Sequence, residues 1–527
     1  SLTDFKGALR AKLMALASAE TERSIMWLVK RMFAAVKKFK AKRAAVVPPT
    51  KGAQAQATKP GHELGAVNTQ AGATGSGNCC KQGAAKAKTR KSISFATGSE
   101  SFTHTDFVLP ATLPIEWNRT YSSDLEAYDQ GSFGARWLIP YTTRVDVVES
   151  RGRRALVYRA ADGRSHDIPW LAVGQSHRNA IEEFSATRLS DMLLVLDFGK
   201  PLPAGEPADW RESYELVDTV SSKAATQGKQ HFRLVAQHAK DGAAIGLRYD
   251  HALPSGEQVL SDVVSKQGDV TLAHVGIRPH AISGRIESVW ELKDGQVVRQ
   301  LAAYTHDEAG DLVAAQDENG AAWAYQYSHH LITRYTDRTG RGMNLAYDGT
   351  GAQAKAIREW ADDGSFDTRL EWDENIRLTY VTDALGQETW IYYDILGYTY
   401  RVIHPDENEE WFFRDDAKNI TRHVHVDGTT DDYVYDDAGN LQTHTQADGS
   451  QVHFEYDKLS RLTGVRDAEG GAWRRDYNPQ GHLIEETDPL GHKTQYAYDK
   501  AGRPVQITVA KGGVKKLAYT PTGELAR

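Results

Sequence analysis

Tyr435-Asp436-Asp437-Ala438-Gly439-Asn440-Leu441 is a short pattern that keeps returning through the last third of the chain. Tyr456-Asp457, Tyr477-Asn478, Tyr498-Asp499 and Tyr519-Thr520 follow it at steps of 21 residues. The same step taken backward reaches Arg414-Asp415, Tyr393-Asp394 and Trp372-Asp373. A turn-forming segment follows many of these pairs and ends in Gly439, Gly481, Gly502 or Gly523, with Ser460 in the glycine position after Tyr456. A fixed period in this range marks a repeat array. Before each tyrosine the residues alternate: in Gln451-Val452-His453-Phe454-Glu455-Tyr456, the apolar and aromatic side chains share one face of a strand. A second run such as Leu462-Thr463-Gly464-Val465 follows, and then a second turn such as Asp467-Ala468-Glu469-Gly470. Asp and Asn suit the turns because their side chains bond nearby backbone, and glycine accepts positive φ.

Each repeat therefore reads as a β-hairpin unit of two strands, each of about six residues. One hairpin is marginal in water, so the units must pair edge to edge. In-register stacking predicts tyrosine against tyrosine on neighbouring strands, at roughly 0.2–1 kcal/mol per pair. The Tyr-Asp pairs read as ladder and turn residues, not as catalytic groups.

Working outward, the chain reads as β from about Ile93, with turns at Asp162-Gly163, Lys240-Asp241-Gly242, Asp294-Gly295 and Asn319-Gly320. Residues 93–300 form the divergent start of the sheet, and residues 301–527 its regular repeats. Residues 48–92 have linker composition. Residues 1–47 read as a helical arm: Ile25, Leu28, Val29, Met32, Val36 and Phe39 fall at helical spacing among Lys and Arg, and Pro48-Pro49 end it. Its apolar stretch is too short for a membrane span. Three roles stay open for it: contact with a membrane surface by residues 23–43, docking into a partner's groove, or docking onto the body of its own chain. Residues 1–100 carry 18 Lys+Arg against 5 Asp+Glu, a net of +13. That leaves 45 of the 63 basic and 65 of the 70 acidic residues in the remainder, a net of −20. A basic arm on an acidic body follows, without the interleaved aromatics that nucleic-acid binding would favour.

A search for chemistry nominates no catalytic residue, no metal site and no cofactor. His423 and His425 face one side of a strand, but the sequence alone identifies no third ligand. Cys79-Cys80, the only two cysteines, cannot build a closed zinc site by themselves. No nucleophile elbow, phosphate loop or His-Glu-x-x-His occurs.

The Tyr-Asp-x-x-Gly-Arg/Asn-Leu pattern resembles the YD (Rhs) repeat. A second match lies upstream. Asp106-Phe107-Val108-Leu109-Pro110, then Pro114-Ile115-Glu116-Trp117-Asn118-Arg119-Thr120-Tyr121, then Gly134-Ala135-Arg136-Trp137 resemble the opening module of bacterial Rhs proteins. The resemblance implies a β-sheet spiralling into a closed, hollow shell that encloses a C-terminal toxin. It also implies an antibacterial effector made in the cytoplasm and exported by a type VI-like machine. Its partners would be its own toxin domain, a secretion spike protein and a chaperone met through the arm, and an immunity protein for the toxin. The family's terminator, where the toxin is cut off, is not recognised, since Asp488-Pro489-Leu490-Gly491 reads as an ordinary turn. The chain starts at Ser1 and stops mid-repeat at Arg527, and so reads as a non-enzymatic fragment of a longer protein. A surface adhesion module that binds carbohydrate or protein is the alternative.

Overall fold

The computed structural model describes Thr89 and residues 92–217, 230–500, 502–520 and 525–526. The arm with residues 23–43, nearly all of the linker with Cys79-Cys80, and Gly523 lie outside the described residues. Among the described residues the fold is 38 β-strands and one 3-10 turn at Glu126–Tyr128, and no helix is long and apolar enough to cross a membrane.

The first three strands stand apart from the rest. β1 (Ser101–Leu109), β2 (Ile115–Ser122) and β3 (Trp137–Leu138) form a small antiparallel sheet in that order. A second, far larger sheet begins with β4 (Arg144–Ser150), β5 (Arg153–Arg159) and β6 (Ser165–Pro169). It continues from β7 (Ser176–Asn179) to β38 (Val514–Lys516), and nearly every strand lies antiparallel to its sequence neighbour. β13 (His251–Ala252) and β14 (Gln258–Val259) stand outside this sheet as a separate antiparallel hairpin. β4 joins β11 (His231–Ala239) at His231–Arg233, whereas β12 (Ala243–Arg248) pairs further along it at Ala236–His238. The sheet thus branches at β11. Among the described residues no ladder links β6 to β7, and none carries β38 beyond β37 (Pro504–Thr508). It is an open spiral, not the closed surface that the resemblance implies.

The repeat's own geometry explains the bending. In β30 (Thr430–Tyr435) and β31 (Leu441–Thr445), Tyr435 pairs with Leu441, and the register shifts by one residue at Val434/Tyr435. The same shift recurs at Tyr393, Arg414, Tyr456, Tyr477 and Tyr498. One unpaired residue per repeat bends a strand and increases its twist. Repeated once per hairpin, it curves the sheet steadily.

The turns behave as their composition predicts. Asp436 N–H donates to the Asn440 carbonyl at 2.9 Å, Gly439 N–H to the Asp436 carbonyl at 2.9 Å, and Asp436 Oδ1 accepts from Asn440 N–H at 2.8 Å. The fourth turn residue is left-handed: Gly439 has φ 80°, while Lys418 and Ser460 hold that position without glycine's freedom at 65° and 59°. Asp488-Pro489-Leu490-Gly491 is one of these ordinary turns, closed by Asp488 N–H to the His492 carbonyl at 2.9 Å.

One expectation is overturned. The tyrosines do not meet across neighbouring strands, because a 21-residue repeat spans two strands and returns tyrosine only on every second one. Tyr456 pairs with Leu462 and Tyr477 with Leu483. Each anchored tyrosine reaches back instead. The Tyr435, Tyr477, Tyr498 and Tyr519 hydroxyls donate to the carbonyls of Ile420, Leu462, Leu483 and Pro504, at 2.8, 2.7, 2.7 and 2.7 Å. Every donor–acceptor pair is 15 residues apart, so the hydroxyl ties one hairpin to the one before it.

The spiral also winds back against its start. Lys200 Nζ is held by Glu183 at 2.6 Å and donates to the carbonyl of Gly439, 239 residues further on, at 2.8 Å. Trp372 Nε1 donates to the Phe95 carbonyl at 2.8 Å. The largest fully buried side chains, Trp117, Trp137, Arg119, Tyr121 and Tyr141, belong to or adjoin the small sheet. The core therefore sits where that sheet is wrapped.

Candidate functional site: the dock of the opening segment

The small sheet is held by strands some 200 residues later. These are β18 (Gln296–His306), β20 (Ala322–Ser328) and β21 (Leu331–Thr336). Arg119, on β2, is fully buried, and its Nε lies 2.9 Å from each oxygen of Asp106 on β1. The Tyr304 hydroxyl donates to Asp106 Oδ2 at 2.7 Å, and Arg119 Nη1 donates to the Tyr325 hydroxyl. Arg338 approaches Asp106 at 3.7 Å and Asp317 at 3.3 Å. The guanidinium lies 5.3 Å from the Trp137 ring centre and 5.4 Å from that of Tyr325. A buried charge survives only when paired and hydrogen-bonded, and here carboxylate, hydroxyls and rings share the task.

Electrostatics follow from this enclosure. Burial alone would lower the Arg119 pKa, yet Tyr325 and Asp106 raise it above its ordinary value. Burial pushes the Tyr325 hydroxyl up to about 12, against the pull of Arg119. His104, with Nδ1 at 2.9 Å from the Tyr325 hydroxyl and its ring stacked 3.7 Å from Trp323, is pushed down to about 3. Burial is its largest cause, and Arg119 and Arg338 add to it.

The other opening residues join the same dock. The Tyr121 hydroxyl donates to the His330 carbonyl at 2.9 Å and accepts from Ile332 N–H at 3.1 Å. Trp137 Nε1 donates to the Tyr327 hydroxyl at 2.9 Å, and that hydroxyl donates to the Leu312 carbonyl at 2.7 Å. Leu109 and Trp117 are buried, while Pro110 and Pro114 are half-buried at the bend between β1 and β2. Gly134 has φ 110°, a backbone conformation that favours glycine, and a Cβ there would sit tightly, 3.2 Å from Leu312. The arrangement is an anchoring clamp: Asp106 and Arg119 pair with each other inside the small sheet, and the spiral adds the Tyr304 and Tyr325 hydroxyls and Arg338 around them.

The structure thus brings Asp106, Arg119, Tyr121 and Trp137 together. It leaves Tyr393, Asp394, Tyr435, Asp436, Gly439, Tyr456, Asp457, Tyr477, Gly481, Tyr498, Asp499 and Gly502 spread along the ladder as scaffold. His423 and His425 do share a side, with ring centres 4.0 Å apart, and bond Glu410 and Asp431 respectively at 3.1 Å. Tyr304, Tyr325 and Arg338 complete the clamp, but sequence reasoning missed them. They lie far from Asp106 and Arg119 in the chain and carry no local signal.

The RHS repeat family matches residues 435–472 and 477–514, and a domain of unknown function, DUF6531, matches residues 90–168. The chain carries repeats of the Rhs/YD type. This Rhs chain is 25% identical over 292 residues to double-stranded DNA deaminase toxin A of Burkholderia cenocepacia, a match covering 54% of this chain and 18% of that protein. Among solved structures it is similar to TcdB2-TccC3 without its hypervariable C-terminal region, with a TM-score of 0.38 at 10% identity, over 77% of this chain and 24% of that one. It also matches the Photorhabdus luminescens Tc holotoxin pore, at a TM-score of 0.30 and 10% identity, over 77% and 22%. The N-terminal domain of SpvB from Salmonella typhimurium matches at a TM-score of 0.19 and 11% identity, over 49% of this chain and 98% of that one.

Proposed function

We propose that this Rhs chain is the opening part of a container for a toxin, and that its role is physical, not enzymatic. The observation that carries the reading is the spiral's return onto its own beginning. A sheet that curves by one bulge per hairpin and clamps its first strands inside later ones is built to enclose a volume. In this reading the small sheet closes one end, further repeats complete the wall, and a C-terminal toxin domain lies within. The wall keeps the toxin from its producer's cytoplasm until export. The basic arm couples the particle to a chaperone and a type VI-like spike, and an immunity protein answers the toxin itself. The toxin named in the curated relative supports the class of cargo. That relative is matched over 18% of its length, so the cargo's chemistry does not transfer.

The test is intact mass and protease protection of the protein expressed from its full gene. The reading expects a separately cleaved C-terminal piece that resists protease until the particle is denatured. An uncleaved chain whose C-terminal region is digested at the same rate as free peptide overturns it.

A further inference from the structure

β11 shows how this sheet uses a strand that outruns its neighbour. One edge of β11 is held along its length by β10 (Trp210–Val217). The other edge is shared end to end by β12 and by β4, which arrives from a different hairpin. β18, at 11 residues the longest strand among the described residues, outruns its neighbour in the same way. One of its edges pairs with β17 (Ile286–Lys293) from Gln296 to Ala303. β19 (Leu312–Asp317) takes the other edge only from Ala302 to His306. Among the described residues no strand pairs with that second edge between Gln296 and Leu301.

An unpaired row of backbone N–H and C=O groups is a template for another strand, and proteins blunt such an edge with charge, proline or a cover. Here Gln296, Val297, Val298 and Arg299 are all exposed, the two valines at 50% and 54%. The one charge among them is already neutralised, since Arg299 donates to Glu291 at 2.7 Å and to Glu318 at 2.6 Å. The vacancy is as long as a repeat strand such as β32 (Gln451–Tyr456). It also lies ahead of the late repeats. The pairings place the turns at Asp241, Gly268 and Gly295 in that order along one rim of the sheet. The Gly439 carbonyl rests on Lys200, and Gly502 comes close to Asp241. Further along that rim, a Cβ on Gly268 or Gly295 would meet nothing within 4 Å.

We propose that Gln296–Leu301 is a strand-addition site, and that its occupant is a strand from a further repeat of the same protein. The proposal rests on the container reading, in which more repeats follow those described. Main-chain hydrogen bonds supply the affinity of such a site, and alternate side chains of the incoming strand supply the fit. Apolar residues at those alternate positions would cover Val297 and Val298. The site would do for a later round of the wall what β11 does for β4, joining strands that are not neighbours in sequence. It adds a lateral join to the turn contact between Lys200 and Gly439.

The experiment is amide hydrogen exchange on the 527-residue chain and on the protein expressed from its full gene, each as parent and as V297K/V298K. Circular dichroism of the 527-residue chain checks that the variant, changed at two exposed positions, is folded. The proposal expects residues 296–301 to exchange at least about tenfold more slowly in the full-gene parent than in the 527-residue parent. The two lysines should abolish that difference, and the exposed turn at residues 254–257 should exchange equally in all four proteins. Equal exchange of residues 296–301 in the two parents overturns the site, even where the C-terminal piece resists protease and the container reading stands. Slowed exchange without a protease-resistant piece keeps the site and removes the container reading. Slowing in the 527-residue chain itself as its concentration rises assigns the edge to a second copy and overturns the stated occupant.

Discussion

His104 makes the dock sensitive to acid, and the size of the effect can be worked out. Its imidazole is enclosed by Trp323, Tyr325 and Tyr335 beside two guanidinium groups, and its pKa falls from 6.5 to about 3. In the unfolded chain the same ring takes its proton near 6.5. Because the folded value is depressed, the stabilising contribution is complete above 6.5 and is lost as pH falls toward 3. Between pH 7 and pH 5 this one ring costs the fold about 2 kcal/mol, at 1.36 kcal/mol per unit below the unfolded value. His104→Phe keeps a ring against Trp323 and removes the titration. It gives up the hydrogen bond to Tyr325, about 1 kcal/mol at any pH. Urea unfolding read by tryptophan fluorescence at both pH values, at constant ionic strength, should show the variant's stability changing about 2 kcal/mol less than the parent's. Parallel losses in the two proteins, within about 0.5 kcal/mol, would refute the claim that the folded state keeps this imidazole neutral.

Other consequences concern pairs, hydroxyls and turns. Asp106→Asn leaves Arg119 buried without its counter-charge and should cost about 3–5 kcal/mol in the same urea assay. Arg422→Ala breaks a pair with Asp432 whose side chains are 53% and 33% exposed, and should cost less than about 1 kcal/mol. Tyr477→Phe removes the hydroxyl that ties its hairpin to Leu462, and should lower stability by about 1 kcal/mol. Glu407 is exposed and holds φ 70° at a turn position where most repeats place glycine. Glu407→Gly should therefore stabilise the chain by about 0.5–1 kcal/mol in thermal melts.

The repeat region was legible because its signals are local. Tyr435, Asp436 and Gly439 lie within five residues, and each does its work on nearby backbone, so spacing alone revealed hairpins and turns. What the tyrosine ring does was not legible. Its partner, Ile420, is a backbone carbonyl 15 residues back, and no sequence pattern marks a carbonyl. The one-residue bulge at each tyrosine was equally hidden, since it follows from pairing and not from composition. For the dock, the resemblance pointed to Asp106, Arg119 and Tyr121, but their partners lie about 200 residues away. His423 and His425 each bond a carboxylate that no local pattern marked, Glu410 and Asp431, reached from the neighbouring strands.

The central claim is that the spiral encloses cargo behind a wall begun by these residues. Cryo-electron microscopy of the protein expressed from its full gene tests it most directly. The account predicts a continuous sheet wound around an interior that contains extra density, with β1 to β3 clamped at one end through Arg119 and Asp106. An extended sheet with an empty concave face and the opening strands undocked would contradict it.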